Sequence, residues 1–200
     1  GWQRTFPNVV TMEAVKGFEF STFTQEYQEL IPTQACMWPF TRNVYDPMDF
    51  TPMSLTPILG IERATTNAFE MALPVLFVSG VQHFAETPDG MKSQPQAVVN
   101  YLQDLPTTWD RSVFIDGYPG KLFVAARKSA GKWYVAGING ERLSKKLTLN
   151  LSELGEASEA TLFADSNNKW VCDCRTITNP NMQAFEVELQ PNGGFVAIIE

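Results

Sequence analysis

Glu13 and Glu19 are the residues whose type and spacing best suit chemistry. Glu13 follows the short apolar run 9–12, and Glu19 comes after Gly17 in the next segment of the chain. Active sites of α/β barrels are formed by side chains at the carboxyl ends of strands and in the loops that follow them. Two carboxylates in such a place suit general-acid catalysis or calcium binding, while ordinary surface glutamates are the alternative that the pattern leaves open. We expect Gly17 to supply an unusual backbone angle between them.

Four further ionisable residues are weaker candidates for a site. Asp46 and Asp49 lie among prolines, where aspartate more often forms a turn than takes part in catalysis. His83 and Glu86 resemble half of a metal site, but the sequence holds 1 histidine, which excludes every site that needs two imidazoles. We therefore interpret His83 as a loop or surface residue.

The composition excludes several classes of function. Acidic side chains number 22 and basic ones 15, a formal net charge of −7 that argues against DNA, RNA and anionic membrane surfaces as partners. No apolar stretch reaches the roughly 18 residues that a membrane-spanning helix requires. Aromatic residues make up 12% of the chain, which fits a large core or a sugar-binding cleft. We interpret Trp38 and Trp109 as core residues, with stacking on sugar rings as the alternative.

The 3 cysteines do not follow the spacing of a zinc site. Cys172 and Cys174 would face the same side of a strand, because side chains along a strand alternate with a period of two. We therefore expect free thiols.

Two regions with different hydrophobic patterns predict a fold of class α/β plus all-β. In residues 1–110, helical spacing over 62–72, the apolar run 74–79 and a second helical pattern over 95–105 indicate α/β units with a parallel strand. In residues 111–200, short alternating runs such as 146–151 and 185–189 are separated by turns, including the glycine-containing turn 129–131. We predict two domains, 1–110 and 111–200, the second a small antiparallel β-sandwich.

Motifs that occur in order along the chain resemble those of glycoside hydrolase family 97. Residues 4–19 read RTFPNVVTMEAVKGFE, which is similar to the family's R-T-[YF]-P-N…E-x-x-x-G-x-E. Residues 39–42 (PFTR) and 47–52 (PMDFTP) are similar to its P-F-T-R…G-P-M-D-[YF]-T-P, with Asp46 in place of the glycine. Residues 106–110, 126–128 and 132–135 resemble segments at the end of its barrel and the start of its C-terminal domain.

This resemblance implies an exo-acting, calcium-dependent α-glucosidase or α-galactosidase, a type found in many gut bacteria, with a (β/α)8 barrel between two β domains. Residues 1–110 would be the C-terminal βα units of the barrel, and residues 111–200 the C-terminal β-sandwich. Glu19 matches the general acid, which also touches calcium, and Glu13 matches a calcium ligand. The substrate would be an oligosaccharide or another α-glycoside, and a periplasmic or secreted location is expected on the same basis.

The resemblance also implies that the base or nucleophile and the other calcium ligands lie upstream of this chain. Glucose or galactose specificity, and inversion or retention, stay open for the same reason. We expect the chain alone to be inactive and its first strand, 9–12, to promote self-association through an unpaired edge. A non-catalytic carbohydrate-binding or structural module derived from such an enzyme is the alternative function, and a truncated gene product without activity is a third.

Overall fold

The helices of the protein lie in its first half. The computed structural model describes residues 5–13, 15–52 and 54–200, so Arg4 and Ala14 of the first motif lie outside the described residues. The helical elements are α1 (Phe18–Ser21), α2 (Gln25–Ala35), a 3₁₀ turn (Trp38–Phe40), α3 (Arg42–Tyr45), α4 (Asn67–Leu76), α5 (Pro88–Lys92) and α6 (Gln96–Gln103). None of the helices in these described ranges is long and apolar enough to cross a membrane.

The second half is an antiparallel β structure, as predicted. The strands are β1 (Arg111–Tyr118), β2 (Leu122–Ser129), β3 (Lys132–Asn139), β4 (Lys145–Leu149), β5 (Glu159–Asp165), β6 (Cys172–Thr178), β7 (Phe185–Leu189) and β8 (Gly194–Ile199), with a 3₁₀ turn at Ser152–Leu154. They form a six-stranded sheet in the order β1-β2-β3-β8-β5-β6 and a two-stranded sheet of β4 and β7. Between β2 and β3 the predicted turn closes with positive φ at Ala130 (50°) and Gly131 (85°).

The six-stranded sheet is covered on both faces. Helix α4, all of whose residues are buried, packs on one face in a core shared with α2, α6 and the sheet residues Phe123, Tyr134 and Val196. On the other face, Leu149 and Val187 belong to the core between the two sheets. Their strands alternate apolar and polar residues, and such alternation directs one side of each strand into a core. The helical region and the β region therefore share a core, and the division at residue 110 stays a prediction.

Helix α4 departs from the predicted elements. The helix predicted over 62–72 begins at Asn67 and continues to Leu76, so the parallel strand predicted over 74–79 is wrong. Pro74 lies inside the helix, although proline lacks the N–H that would bond the carbonyl of Glu70. Complete burial of the helix against the sheet outweighs that loss. The helix predicted over 95–105 is confirmed with the bounds of α6.

The βα units of a barrel are not confirmed within the described residues. Of the predicted strand 9–12, only Met12 bridges another segment, in a parallel arrangement with Met48. The N–H of Asp49 donates to the carbonyl of Met12 at 2.9 Å, and the N–H of Met48 donates to the carbonyl of Val78 at 2.8 Å. Three short segments, around Met12, Met48 and Val78, therefore lie side by side in the region where α/β units were predicted.

Candidate functional site

The three adjoining segments bring several polar residues to one edge. Because Met12 bridges Met48 in parallel, the residues that follow them, Glu13 and Asp49, leave these segments at the same end. Glu13 is exposed, and Asp49 is half-buried. The structure thus places Asp49, a weaker candidate by sequence, beside the segment that carries Glu13.

Arg42 holds this edge together through backbone carbonyls. Its Nη2 donates to the carbonyls of Met12 at 2.7 Å and Glu13 at 3.0 Å, and lies 3.4 Å from that of Pro47. Its Nη1 donates to the carbonyl of Asp46 at 3.0 Å. One guanidinium has five donors in a fixed planar arrangement, which suits several acceptors at once. Arg42 belongs to the motif at 39–42, but its role could not be predicted from the sequence, because its acceptors are main-chain atoms that any residue could supply.

Glu19 is positioned through the two residues that precede it. The N–H of Phe18 donates to the carbonyl of Thr51 at 2.8 Å, and the Phe18 side chain is fully buried. A Cβ atom on Gly17 would stand 2.8 Å from the Thr51 nitrogen. Gly17 has an ordinary φ of −72°, so the expectation of an unusual angle is wrong, and glycine is required here by the close approach of Thr51.

The carboxylates of Glu13 and Glu19 are both free to meet a ligand. Both side chains are exposed and make no hydrogen bond or ion pair within the described part of the chain. Next to Glu13 the ammonium of Lys16 lies 3.8 Å from the ring centre of Tyr27. A surface cavity of about 380 Å³ is lined by Glu13, Val15, Lys16 and Phe20. Glu19 lies outside the lining of this cavity, so the structure does not bring the two carboxylates into one pocket.

Comparison with known proteins identifies the family. Residues 108–200 match the family model described as "Glycosyl-hydrolase 97 C-terminal, oligomerisation". The chain therefore contains the C-terminal domain of glycoside hydrolase family 97. It is 39% identical over 137 residues to a probable retaining alpha-galactosidase of Streptomyces bingchenggensis, covering 68% of this chain and 20% of that protein. It is 29% identical over its whole length to the retaining alpha-galactosidase of Bacteroides thetaiotaomicron, of which it covers 32%.

A solved structure supports the same assignment. The crystal structure of a beta-arabinopyranosidase superposes with a TM-score of 0.91 at 33% identity, covering 98% of this chain and 32% of that one. The chain therefore spans between a fifth and a third of the length of these relatives. The predicted self-association is supported, because the family 97 model is described as an oligomerisation domain. The reason first given for it, an unpaired strand edge at 9–12, stays a prediction, since the bridge from Met12 to Met48 pairs one side of this segment.

The described residues do not provide a complete set of ligands for the calcium ion that the family 97 resemblance implies. Calcium in proteins takes about 6–8 oxygen ligands. Within the described ranges no group of three or more His, Cys, Asp or Glu side chains could hold a metal ion. Glu13 and Glu19 together offer at most four carboxylate oxygens. These residues alone do not make a calcium site.

The weaker candidates Glu86, His83 and Asp46 differ in their contacts and exposure. Glu86 accepts from the N–H groups of Leu55 at 2.7 Å and Thr56 at 2.9 Å, and so ties this loop to the start of α5. His83 is exposed, as the surface interpretation predicted. Asp46, at the position where the motif resemblance implies glycine, has φ −150° and ψ 154°, an extended conformation that any residue adopts.

The tryptophans and cysteines agree with the interpretations made from sequence. Trp38 packs on Phe50 with ring centres 5.3 Å apart, and Trp109 packs on Tyr134 at 5.4 Å. All cysteines are free, with Cys36 and Cys172 buried and Cys174 exposed. Burial raises the pKa of the Cys174 thiol.

Proposed function

We propose that this chain is part of a retaining family 97 glycoside hydrolase in which Glu19 is the general acid. The observation that carries the proposal is the set of backbone contacts that fixes the Glu19 segment: Phe18 is anchored on Thr51, and Met12 on Met48. These contacts bring two of the family motifs to one edge and leave the Glu19 carboxylate exposed. In this proposal residues 5–110 complete a barrel whose other strands come from elsewhere in a longer polypeptide. The side-by-side Met12, Met48 and Val78 segments support that view.

Each residue has a defined part in the proposed reaction. The protonated Glu19 carboxyl donates its proton to the glycosidic oxygen while the bond from that oxygen to the anomeric carbon breaks. In the second step the Glu19 carboxylate accepts a proton from the water that releases the sugar. Arg42 and Gly17 keep the backbone of this edge in place. The nucleophile of a retaining enzyme stands about 5–5.5 Å from the acid, and we assign it to no residue of this chain.

The proposed role of calcium is limited to binding. We propose Glu13 and Glu19 as two of its ligands, with the remaining oxygens supplied from outside the described residues. A bound calcium ion would hold substrate hydroxyls and stabilise nearby negative charge. No step of the proposed reaction is routed through the ion.

We infer that the substrate is an α-galactoside or a β-arabinopyranoside. Two curated relatives are named retaining alpha-galactosidases, and the structural relative is a beta-arabinopyranosidase. An α-D-galactopyranoside and a β-L-arabinopyranoside share the configuration of their ring hydroxyls and differ by one hydroxymethyl group. The alternative of a non-catalytic carbohydrate-binding module is not favoured, because the family model describes oligomerisation.

The test uses a chimera in which this chain replaces the aligned segment of the B. thetaiotaomicron retaining alpha-galactosidase. Glu19→Gln should lower kcat/KM about 10²- to 10⁴-fold on an α-galactoside with a poor leaving group, because proton donation supplies that range. The loss should be much smaller on an activated nitrophenyl galactoside, whose leaving group needs no proton. Steady-state rates on the two substrates measure the difference.

Glu26→Gln is the matched control, since Glu26 is another exposed glutamate near the start of a neighbouring helix, α2. This variant should retain the activity of the chimera on both substrates. Equal losses on both substrates in Glu19→Gln, or no loss, would contradict the general-acid assignment.

A further inference from the structure

The two edges of the six-stranded sheet differ in how they are protected. Edge strand β1 contains a β-bulge between Phe114 and Asp116, followed by Gly117 with a φ of 151°. Bulges and glycines of this kind twist an edge and hinder pairing with another strand. Edge strand β6 pairs with β5 in unbroken register from Cys172 to Thr178 and contains neither glycine nor proline. The edge formed by β6 is therefore the one that is ready to accept a further strand.

The outward residues of β6 carry opposite charges without partners. Asp173 and Arg175 are both exposed, and neither side chain makes a hydrogen bond or ion pair with any residue in the described ranges. They lie on the same face of the sheet, since their register partners Ala164 and Leu162 both belong to the core between the two sheets. Cys174, between them, points to the opposite face and is exposed.

We propose that β6 pairs with β6 of a second copy of this chain, antiparallel and centred on Cys174. In a symmetric antiparallel pair the central residue faces its own copy, because residues directly opposite each other lie on the same face. Centring on Cys174 puts Asp173 opposite the partner's Arg175, and the symmetry repeats the pair. Centring on Asp173 or on Arg175 would put like charges opposite each other, which is destabilising. The charge pattern therefore selects one register.

A second copy is the occupant that the other observations favour. Strand β6 lies within residues 108–200, the region matched by a family model described as oligomerisation. The pairing joins the six strands of each copy into one continuous sheet. It satisfies backbone groups on the open edge and forms a self-complementary contact, as in a two-fold dimer. This assignment does not depend on the proposed catalytic role of Glu19.

Crosslinking at Cys174 tests the geometry of the pair. The two Cβ atoms of opposite residues lie about 4.5–5.5 Å apart, within reach of a short bis-maleimide. The reagent should convert the full chain to a covalent dimer, because Cys36 and Cys172 are buried and Cys174 is exposed. Cys174→Ser should abolish the product. The double variant Cys174→Ser with Thr178→Cys has its thiol away from the two-fold axis of the pair. It should not form the covalent dimer, since eight strand positions separate the thiols of the two copies by about 26 Å.

Charge exchange tests the register independently. Sedimentation equilibrium should show the Asp173→Arg dimer dissociating with a Kd about ten- to thirtyfold higher, since two attractive pairs become repulsive. The double exchange of Asp173→Arg with Arg175→Asp should restore the Kd to within about threefold. Circular dichroism spectra should stay unchanged in all variants. A chain that stays monomeric, a dimer that does not crosslink at Cys174, or a double exchange that behaves like the single one would overturn the proposal.

Discussion

The N-terminal segments and the β region of this protein are held in place by different means. In residues 111–200, each strand is fixed by backbone pairing with its neighbours and by the alternation of apolar and polar side chains. Many equivalent contacts therefore contribute to the stability of this region. In residues 5–52, irregular segments are held by single groups such as the Arg42 guanidinium and the close approach of Gly17 to Thr51. The candidate site lies among these irregular N-terminal segments. Its geometry should therefore respond to single substitutions that the β region would tolerate.

The largest expected effect is at Arg63, a fully buried arginine that links residues 54–67 to Lys169 and Trp170 of the β region. Its guanidinium donates to the carbonyls of Ser54 and Thr65 and stacks on the Trp170 ring, 4.3 Å from the ring centre. Arg63→Met leaves these carbonyls without the arginine donor and removes a positive charge that lies near the buried Glu70. We expect a loss of about 3–5 kcal/mol in the free energy of unfolding, measured with urea.

Arg142→Met is the control for Arg63, because the Arg142 side chain is 73% exposed and its ion pair with Glu29 is long, at 3.6 Å. That change should alter the free energy of unfolding by less than about 0.5 kcal/mol. If both variants lost the same small amount, the buried Arg63 side chain would not be what links residues 54–67 to the β region.

The next effect concerns Asp165, where the β region does depend on one side chain. Its carboxylate accepts from Thr66 Oγ1 and from the N–H groups of Gln190 at 2.8 Å and Gly194 at 2.9 Å. Burial raises its pKa from 3.8 to about 6, with these hydrogen bonds opposing the shift. The folded protein thus holds this proton more tightly than the unfolded chain does. The stabilisation is complete below about pH 3.8 and is lost as the pH rises to about 6.

The pH dependence of Asp165 can be isolated by comparison with Asp165→Asn. The difference between the two pKa values corresponds to about 3 kcal/mol as an upper figure. The unfolding free energy of the wild type should fall by up to that amount, relative to the variant, between about pH 4 and pH 6.5. Parallel pH profiles for the two proteins would contradict the assigned pKa.

The smallest effect on the free energy of unfolding is expected at Arg42, where the change should be confined to the segments around the side chain. Arg42→Met removes the donor shared by four carbonyls that lie near the surface, and water can replace part of what is lost. The free energy of unfolding should fall by about 1–2 kcal/mol. Hydrogen exchange should speed up at the amides of Met12 and Asp49 while the amides of β2 and β3 keep their protection.

Arg111→Met supplies the contrast, since Arg111 is an exposed arginine of the β region that pairs with Glu153. Its loss should leave exchange at Met12 and Asp49 unchanged. Faster exchange throughout the protein in Arg42→Met would mean that the irregular segments and the β region unfold as one unit.

The β region could be predicted from the sequence more fully than the irregular N-terminal segments. The strands 146–151 and 185–189 could be predicted because alternation is a local signal that the sheet enforces, and the structure has β4 and β7 there. The end of α4 could not, because Pro74 indicates a helix boundary locally, while burial against the distant sheet decides otherwise. Arg42 was missed as a positioning residue because its acceptors lie up to 30 positions away in the sequence.

The candidate site was predictable in its motifs and less so in its arrangement. Glu13 and Glu19 were named from their spacing, and they stay predictions for a calcium ligand and a general acid. The proximity of Asp49 to the Glu13 segment depends on a parallel bridge that no local pattern encodes. The role of Gly17 was misjudged for the same reason, since the close approach comes from Thr51 in another segment.

Helix α4 has a consequence for how such proteins can be recombined in evolution. The family domain begins at residue 108, yet the sheet within it buries α4, which lies outside that boundary. Arg127 of β2 donates to the carbonyls of Val75 and Leu76 at the end of this helix. A transfer of residues 108–200 alone between two enzymes would include the sheet and leave out helix α4, which packs on it. Successful exchanges should therefore preserve the matching surface of α4, so that the inherited unit is longer than the domain that sequence comparison delimits.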